Sequence, residues 1–129
     1  MFSLSQWQGN AKWENWVGYV TAKPEQKLTP YSVEELQNIV KQARLAKKRI
    51  RVTGAAHSFS GCARPEEIAV SLHNMRGLIS VDKANKLATL HAGTYLYEIG
   101  PALAEHGLAL ENMGDVQAQT IAGAASTAT

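Results

Sequence analysis

The stretch that decides the fold is residues 49–61, which read RIRVTGAAHSFSG. Residues 49–53 are typical of a β-strand, and small and polar residues follow in a loop that is flanked by Gly54 and Gly61. In open α/β sheets, ligands usually bind where a loop leaves the end of a parallel strand. The pattern therefore predicts a ligand-binding loop, and from the residues alone a plain connecting turn remains the alternative.

The residues before this strand predict a helix. Ser32 and Glu35 have the spacing of a capping box, in which the hydroxyl binds the Glu35 N–H and the carboxylate binds the Ser32 N–H. An apolar stripe then continues at helical spacing to about residue 47, and it consists of Val33, Leu36, Ile39, Val40, Ala43 and Ala46. Strands are also predicted at 16–22 and 68–72, and a loop at 23–30. The predicted helix thus lies between two strands, and the order strand, helix, strand implies a right-handed parallel crossover.

A different pattern begins after residues 74–77. Residues 78–82 and 86–92 are two β-rich runs separated by three residues, which predicts a tight hairpin. A helix is predicted at 95–106, ending at Gly107, with Pro101 either in an early turn or at a kink. We therefore expect an α+β protein with two subdomains: residues 1–75, built on a parallel βαβ unit, and residues 76–129, built on antiparallel strands.

The charge balance and the distribution of apolar residues exclude some classes of function. The chain has 129 residues, with 13 Lys and Arg against 11 Asp and Glu, so a strong affinity for nucleic acid is not expected. The basic run 41–51 could bind nucleic acid, but its position at a helix end favours a solvated surface. No apolar stretch of about 18 residues is present for a membrane span, and no secretory leader is evident. The cytoplasm is expected by default, with peripheral membrane association left open.

The histidines and the single cysteine are the remaining reactive side chains. His57 lies in the predicted loop, where a neutral imidazole could act as a nucleophile, a base or a metal ligand. His73, His91 and His106 show no metal-ligand spacing, so no metal site is predicted. One cysteine, Cys62, allows neither an intramolecular disulfide nor a Cys-based zinc cluster, and we interpret it as a small packing residue.

The final 14 residues, 116–129, carry no charge, and ten of them are Ala, Gly, Ser or Thr. A solvated tail would normally be charged or rich in proline. Small side chains let a backbone approach another backbone or a ligand closely. We expect this segment to be buried or to line a ligand.

Two separated motifs, RVTGAAHSFSG at 51–61 and LENMGDVQAQTIAGAASTAT at 110–129, occur in this order in a known family. Together with WENWVG and PYSVEELQNIVKQAR, they resemble the FAD-binding domain of flavoproteins of the vanillyl-alcohol-oxidase and p-cresol-methylhydroxylase type. Within that family the chain is most similar to the aldonolactone oxidases, which act on gulonolactone or arabinonolactone, and alditol oxidase is a relative. The resemblance extends over nearly the whole chain.

The resemblance implies FAD as the cofactor and a set of residues that hold it. His57 matches the histidine that is bonded to the 8α-methyl group of the flavin, and the residues around the pyrophosphate would be Thr53, Gly54, Ala55, Ala56 and Ser58. The second motif lines the flavin and its diphosphate in the family, which here implies Asp115, Gln119, Thr120, Gly123, Ala124, Ser126 and Thr127.

The resemblance also implies an activity, the oxidation of a sugar lactone or alditol by hydride transfer to flavin, with oxygen or another electron acceptor. Family members often have glycine or arginine where this chain has Ala56. They also continue into a His-Gly-Thr-Gly stretch and a substrate domain. We therefore expect this sequence to be the N-terminal part of such an enzyme, with a truncated second subdomain and with the catalytic residues outside it. We also expect this part to self-associate. The alternative is a stand-alone module that binds a nucleotide or phosphate without redox chemistry.

Overall fold

The computed structural model describes residues 12–58 and 60–128, which form two compact units, Met1–Asn74 and Met75–Thr129. Each unit has its own apolar core. Within the described residues, no helix is both long enough and apolar enough to cross a membrane.

The first unit contains a three-stranded parallel sheet. Its strands in spatial order are β3 (Gln26–Leu28), β5 (Ile68–Ser71) and β4 (Ile50–Thr53), so that β5 is central and Val70 pairs with both Leu28 and Val52. A separate antiparallel pair is formed by β1 (Trp13–Glu14) and β2 (Thr21–Ala22). The parallel sheet ends at Thr53, directly before the predicted loop.

Helix α1 (Val33–Leu45) begins at the predicted capping residue. The Ser32 hydroxyl accepts the Glu35 N–H at 3.1 Å, whereas the Glu35 carboxylate binds the N–H of Tyr31 rather than that of Ser32. Ile39 and Ala43 are buried against the sheet. The predicted stripe is wrong at Val33 and Val40, which are about half exposed, and at Ala46, which is exposed just after the helix end, because the three short strands cover only part of the helix.

Two predictions for the N-terminal region are wrong. The strand predicted at 16–22 exists only at Thr21–Ala22, since the chain turns between β1 and β2, with Gly18 at a φ of +77°. The loop predicted at 23–30 contains β3, whose short polar sequence is held extended by its parallel pairing with β5. Tertiary pairing has overridden local sequence preference at both places.

The second unit contains the predicted hairpin, formed by β6 (Leu78–Asp82) and β7 (Leu87–Leu90). Its connection has four residues, 83–86, instead of three, and Lys86 takes a φ of +55°. Helices α2 (Leu96–Ala104) and α3 (Ile121–Ser126) follow. Their core consists of Leu96, Ile99, Leu103 and Ala124.

Two further predictions concern helix α2, at Pro101 and at Gly107. Pro101 lies inside the helix rather than in its first turn, and Gly107 takes the left-handed conformation, with a φ of +70°, that was expected just after the helix end. The predicted fold class is confirmed: an α+β chain with a parallel βαβ arrangement in the first unit and antiparallel strands in the second.

Candidate functional site

The loop after β4 presents His57 at the end of the parallel sheet. Thr53 is buried at the end of the strand, Gly54 is exposed, and Ala55, Ala56, His57 and Ser58 are half-buried. Ala56 has a φ of +58°, a left-handed conformation that is unfavourable for residues with a Cβ. The chain therefore turns sharply just before the imidazole.

A buried asparagine from the N-terminal region fixes this loop. Asn15 is 1% exposed, and its side-chain amide donates to the Ser58 carbonyl oxygen at 3.0 Å while its side-chain oxygen accepts the Val20 N–H at 3.1 Å. The neighbouring Trp16 N–H donates to the Ala56 carbonyl oxygen at 2.9 Å. The loop is thus held on both sides of His57 by residues about 40 positions earlier.

The imidazole of His57 also lies against an aromatic ring. Its centroid is 5.3 Å from that of Trp16, and the two ring planes are inclined by 38°. Trp16 is itself 59% exposed, so its indole packs beside the half-buried imidazole without enclosing it.

Hydroxyl and thiol groups cluster on the far side of the loop. The Ser58 hydroxyl lies 3.0 Å from that of Ser60 and 3.5 Å from the Cys62 sulfur. Hydrogen bonds from Ser58 and Ser60 lower the pKa of the Cys62 thiol. Cys62 is exposed, so its interpretation as a packing residue is wrong.

In the second unit, the first turn of α2 holds the segment that precedes α3. The Leu96 N–H donates to the Gln119 carbonyl oxygen at 2.9 Å, and the Tyr97 N–H donates to that of Gln117 at 3.1 Å. The first N–H groups of a helix have no partner within the helix. Here they bind the backbone of the predicted cofactor segment.

The hydroxyl of Thr94 provides a second support for the same segment. Thr94 is 1% exposed, and its hydroxyl donates to the His91 carbonyl oxygen at 2.6 Å and accepts the Gly77 N–H at 2.9 Å. Its own carbonyl oxygen accepts the Ile121 N–H at 2.8 Å. The start of α3 is therefore tied to the end of the hairpin.

An ion pair stabilises the first turn of α2. The guanidinium of Arg76 binds the carboxylate of Glu98, with its Nε 3.1 Å from both carboxylate oxygens, and lies 4.8 Å above the ring of Tyr95. The Glu98 carboxylate also accepts the Tyr95 N–H at 2.8 Å. Because of Glu98, the pKa of the Arg76 guanidinium is raised. These contacts hold the N–H groups of α2 toward Gln117 and Gln119.

The predicted residues of the second motif have different environments. Thr120 is buried and its hydroxyl accepts the Gly123 N–H at 3.4 Å, whereas the Ala124 side chain packs in the core. Asp115, Ser126 and Thr127 are exposed. Of the two alternatives expected for this segment, burial applies only to Thr120 and Ala124 among residues 116–128, because a helix as short as α3 has only one side that faces the core. Lining of a ligand stays a prediction.

Gln119 carries the most informative atom of this segment. Its side-chain oxygen Oε1 is buried and has no hydrogen-bond partner among the described residues. A buried carbonyl oxygen without a partner is costly, so a donor that is not among the described residues would stabilise this position. The imide N–H, hydroxyl and amino groups of FAD are donors of this kind, so the residues present fit the cofactor.

The other sequence candidates belong to turns and to the ends of secondary-structure elements. His73 is in a turn, His91 directly follows β7, and His106 follows α2. In residues 12–58 and 60–128, no three His, Cys, Asp or Glu side chains are grouped as a metal site. In the basic run, Lys48 pairs with Glu25, and Arg49 pairs with Glu66 and Glu67.

Sequence reasoning missed the residues that position the site. Asn15, Arg76 and Thr94 belong to no recognisable local sequence pattern that assigns them a role. Glu98 had a usable signal, because it stands three residues after the residue that precedes the helix, as the acid of a capping box does. No comparable local signal marks Asn15, since its partners are distant in sequence.

The His57 loop and the segment before α3 are the two regions that define the class of this protein. The chain belongs to the FAD-binding domain family, whose model matches residues 24–129. The family and the cofactor predicted from the two motifs are confirmed.

Individual relatives are lactone oxidoreductases. The chain is 40% identical over 114 residues to a putative D-arabinono-1,4-lactone oxidase of Neurospora crassa, covering 88% of this chain and 20% of that protein. It is 36% identical over 117 residues to an L-gulono-1,4-lactone dehydrogenase of Mycobacterium tuberculosis, covering 91% of this chain and 27% of the relative. The chain thus spans about a quarter or less of the length of these relatives.

Solved structures support the fold. An alkyldihydroxyacetonephosphate synthase superposes with a TM-score of 0.77 at 21% identity, covering 87% of this chain and 22% of that one. A cholesterol oxidase from B. sterolicum superposes with a TM-score of 0.75 at 18% identity, covering 92% of this chain and 23% of that one. At these identities the likeness shows the fold alone.

Proposed function

We propose that this chain holds FAD for an oxidoreductase that oxidises a sugar lactone or a polyol. The observation that carries the proposal is the His57 loop, whose backbone is held on both sides of a half-buried imidazole, at the end of a parallel strand, by Asn15 and the Trp16 N–H. The two relatives described above, whose names specify 1,4-lactones, favour a lactone as the substrate.

We assign the cofactor contacts to both predicted segments. In residues 1–75, proposed as the first FAD-binding subdomain, the loop 53–58 holds the pyrophosphate through backbone N–H groups. In residues 76–129, proposed as part of the second subdomain, 115–127 contribute small side chains and the Gln119 amide. When bound, FAD would accept a hydride from a carbon that bears a hydroxyl group. Oxygen or another electron acceptor would then reoxidise the cofactor.

We further propose that His57 is the covalent attachment point. His57 would hold the flavin through an imidazole nitrogen, whose lone pair would form the bond to the 8α-carbon in place of one methyl hydrogen. The imidazole proton and the methyl proton would leave to solvent, and the electron pair of the broken C–H bond would be taken up by the flavin and then by dioxygen, the oxidant that this attachment requires. The contact with Trp16 and the turn at Ala56 support this assignment, because they place the imidazole at the end of the parallel strand.

The test is denaturing electrophoresis of the full coding sequence product under ultraviolet light. We expect flavin fluorescence on the protein band, its complete loss in His57→Ala, and its retention in the control His73→Ala. His73 is a suitable control because it is exposed and lies in the same unit. Fluorescence that survives in His57→Ala would overturn the attachment.

The substrate class is tested separately by anaerobic titration of the flavin absorbance. We expect 1,4-lactones to bleach the oxidised flavin bands, with alditols as the comparison set. A protein that binds FAD but is bleached by neither class contradicts the proposed substrates. A chain that binds ADP without any flavin supports the stand-alone phosphate-binding module instead.

The compartment and self-association belong to the same proposal. A chain with a single cysteine needs no oxidising compartment, which favours the cytoplasm. Ile79 and Leu87 of the hairpin are each more than half exposed, and we propose that exposed apolar side chains of this kind promote self-association. Cell fractionation and sedimentation velocity test the two statements.

A further inference from the structure

We propose that a cavity of the first unit binds a phosphate group through the guanidinium groups of Arg51 and Arg64. The cavity has a volume of about 260 Å³. It is lined by Arg49, Ile50, Arg51, Gly61, Arg64 and Glu66. None of these residues belongs to the loop 53–58 or to the segment 115–127, so this site is separate from the proposed contacts with FAD.

The cavity has more cations than carboxylates. Three arginines and one glutamate line it, and this excess of two positive charges equals the formal net charge of the whole chain. Arg49 is already paired with Glu66 and with Glu67. The Arg51 side chain has no carboxylate partner within residues 12–58 and 60–128. Guanidinium groups that share a cavity repel one another, so a bound anion would lower the free energy of this arrangement.

The structure holds Arg64 in place before any ligand binds. Its side-chain Nε donates to the Thr21 carbonyl oxygen at 2.8 Å, and its backbone N–H donates to the Gly61 carbonyl oxygen at 3.1 Å. Pro65, the next residue, is fully buried and restricts the backbone further. The contact with Thr21 uses only Nε, which leaves the Nη donors of the guanidinium for an anion. A guanidinium that is already positioned loses little freedom on binding.

The parallel sheet positions Arg51. This residue lies within β4 and pairs with Ala69 of the central strand β5. Because side chains alternate along a strand, Arg49 and Arg51 lie on one face of the sheet, whereas Ile50 packs against the core of the first unit. The backbone of Arg51 is therefore fixed by the sheet, and its exposed side chain can close on a ligand.

The chemistry of two arginines selects the ligand. A guanidinium presents its N–H donors as a planar fork that fits two oxygens of an oxyanion. One fork satisfies a carboxylate, whereas a phosphate group has enough oxygens for two forks and a charge that offsets the local excess. The cavity, at about 260 Å³, is smaller than the sites of about 300–1,000 Å³ that hold drug-sized ligands. It therefore suits inorganic phosphate or the phosphate monoester of a small metabolite.

A bound phosphate would connect the two sides of the His57 loop. Arg51 lies two residues before Thr53, where β4 ends, and Arg64 directly follows the short 3₁₀-helix Gly61–Ala63. One anion held by both arginines links the strand before the loop to the helix after it. Binding at this site should therefore stabilise the folded chain without any contact with the flavin.

The test is isothermal titration calorimetry of the full coding sequence product, purified with its flavin, at constant ionic strength in chloride. The probes are inorganic phosphate, glucose 6-phosphate and glucose. Arg51→Gln removes one fork, and Arg51→Lys keeps the charge without the fork. The control is Arg44→Gln, which removes the same charge from an exposed position on α1. Arg64→Gln repeats the measurement if Arg51→Gln folds poorly.

We expect the parent chain to bind one phosphate. Arg51→Gln should bind it about 10-fold more weakly, the equivalent of one charge-assisted hydrogen-bonding fork, and Arg44→Gln should bind it as the parent does. The affinity of Arg51→Lys should lie between those of Arg51→Gln and the parent chain. Glucose should not bind. Tighter binding of glucose 6-phosphate than of inorganic phosphate identifies a monoester as the ligand, and equal binding identifies free phosphate.

Two results would overturn the site. One is an equal affinity for phosphate in the parent chain and in Arg51→Gln. The other is an equal loss of affinity in Arg51→Gln and Arg44→Gln, because net charge rather than the cavity would then attract the anion. The inference does not depend on the proposed function. A chain purified without flavin contradicts the proposed function, and the phosphate titration still decides the site.

Discussion

The loop 53–58 and the segment 117–127 hold their functional groups in opposite ways. The loop presents one reactive side chain, His57, and is fixed by an asparagine side chain and a backbone contact from residues far away in sequence. The segment is fixed by backbone hydrogen bonds to the first turn of α2, and its side chains are mostly small. A covalent bond needs one atom in one place, whereas a flat ring and a diphosphate need close approach to the backbone.

This difference explains where each element is vulnerable. In the loop, a single side chain, Asn15, satisfies two backbone groups that lie on different turns. The segment is held by several backbone hydrogen bonds, from the N–H groups of Leu96, Tyr97 and Ile121. Thr94 and the pair of Arg76 and Glu98 support these groups indirectly, so loss of any one of these side chains leaves the backbone hydrogen bonds in place. We expect the loop to be sensitive to substitution of its supporting residue and the segment to be tolerant.

The largest effect is expected for Asn15→Leu. The change keeps a side chain of similar size but leaves the Ser58 carbonyl oxygen and the Val20 N–H without their partner, which should lower the unfolding free energy by about 2–3 kcal/mol. Covalent flavin should also decrease, although the nucleophile is intact. Urea unfolding and fluorescence of the denatured band measure the two effects.

The matched control for this prediction is Asn38→Leu. Asn38 is exposed on α1, so its replacement should change the unfolding free energy by no more than about 0.5 kcal/mol. If Asn15→Leu behaves like this control, the loop does not depend on the N-terminal region and the contrast between the two elements fails.

The sequence was sufficient for the elements whose signals are local. Ser32 marked the start of α1, Gly107 took the expected conformation after α2, and the hairpin and the strand before the loop were placed to within a residue or two. The paired motifs supplied the family and the cofactor, which periodicity and composition could not have provided.

The sequence failed where distant residues decide the conformation. The polar residues of β3 are extended because β5 lies beside them, and residues 16–20 turn because Asn15 binds the Val20 N–H. Neither partner is close enough in sequence to leave a periodic signal. The buried oxygen of Gln119 is likewise visible only once the fold is known.

A smaller effect is expected for Ala56→Gly in the loop. Ala56 has a φ of +58°, where a Cβ costs about 1–2 kcal/mol, and glycine removes that strain but loses about 0.5–1 kcal/mol of backbone entropy on folding. We expect the unfolding free energy to rise by about 0.5–1 kcal/mol. The β-branched variant Ala56→Val should lower it. A decrease in stability with glycine would show that the left-handed turn is not strained.

The smallest effect is expected for the reverse substitution in the segment, Gly123→Ala. In the interior of a helix, alanine is favoured over glycine by about 1 kcal/mol. A Cβ at this position, however, would lie 3.1 Å from the Thr120 hydroxyl oxygen, which caps α3 by accepting the Gly123 N–H, so the added methyl group pushes on the cap. Because the two effects oppose each other, the free energy of urea unfolding should change by less than about 0.5 kcal/mol.

The control for this prediction is Thr120→Ala. In that variant the hydroxyl is gone, so Gly123→Ala added to it should regain the full helical preference. If Gly123→Ala raises the unfolding free energy by about 1 kcal/mol with Thr120 intact, the Thr120 hydroxyl moves aside at no cost. The segment would then be no more rigid at Gly123 than an ordinary helix.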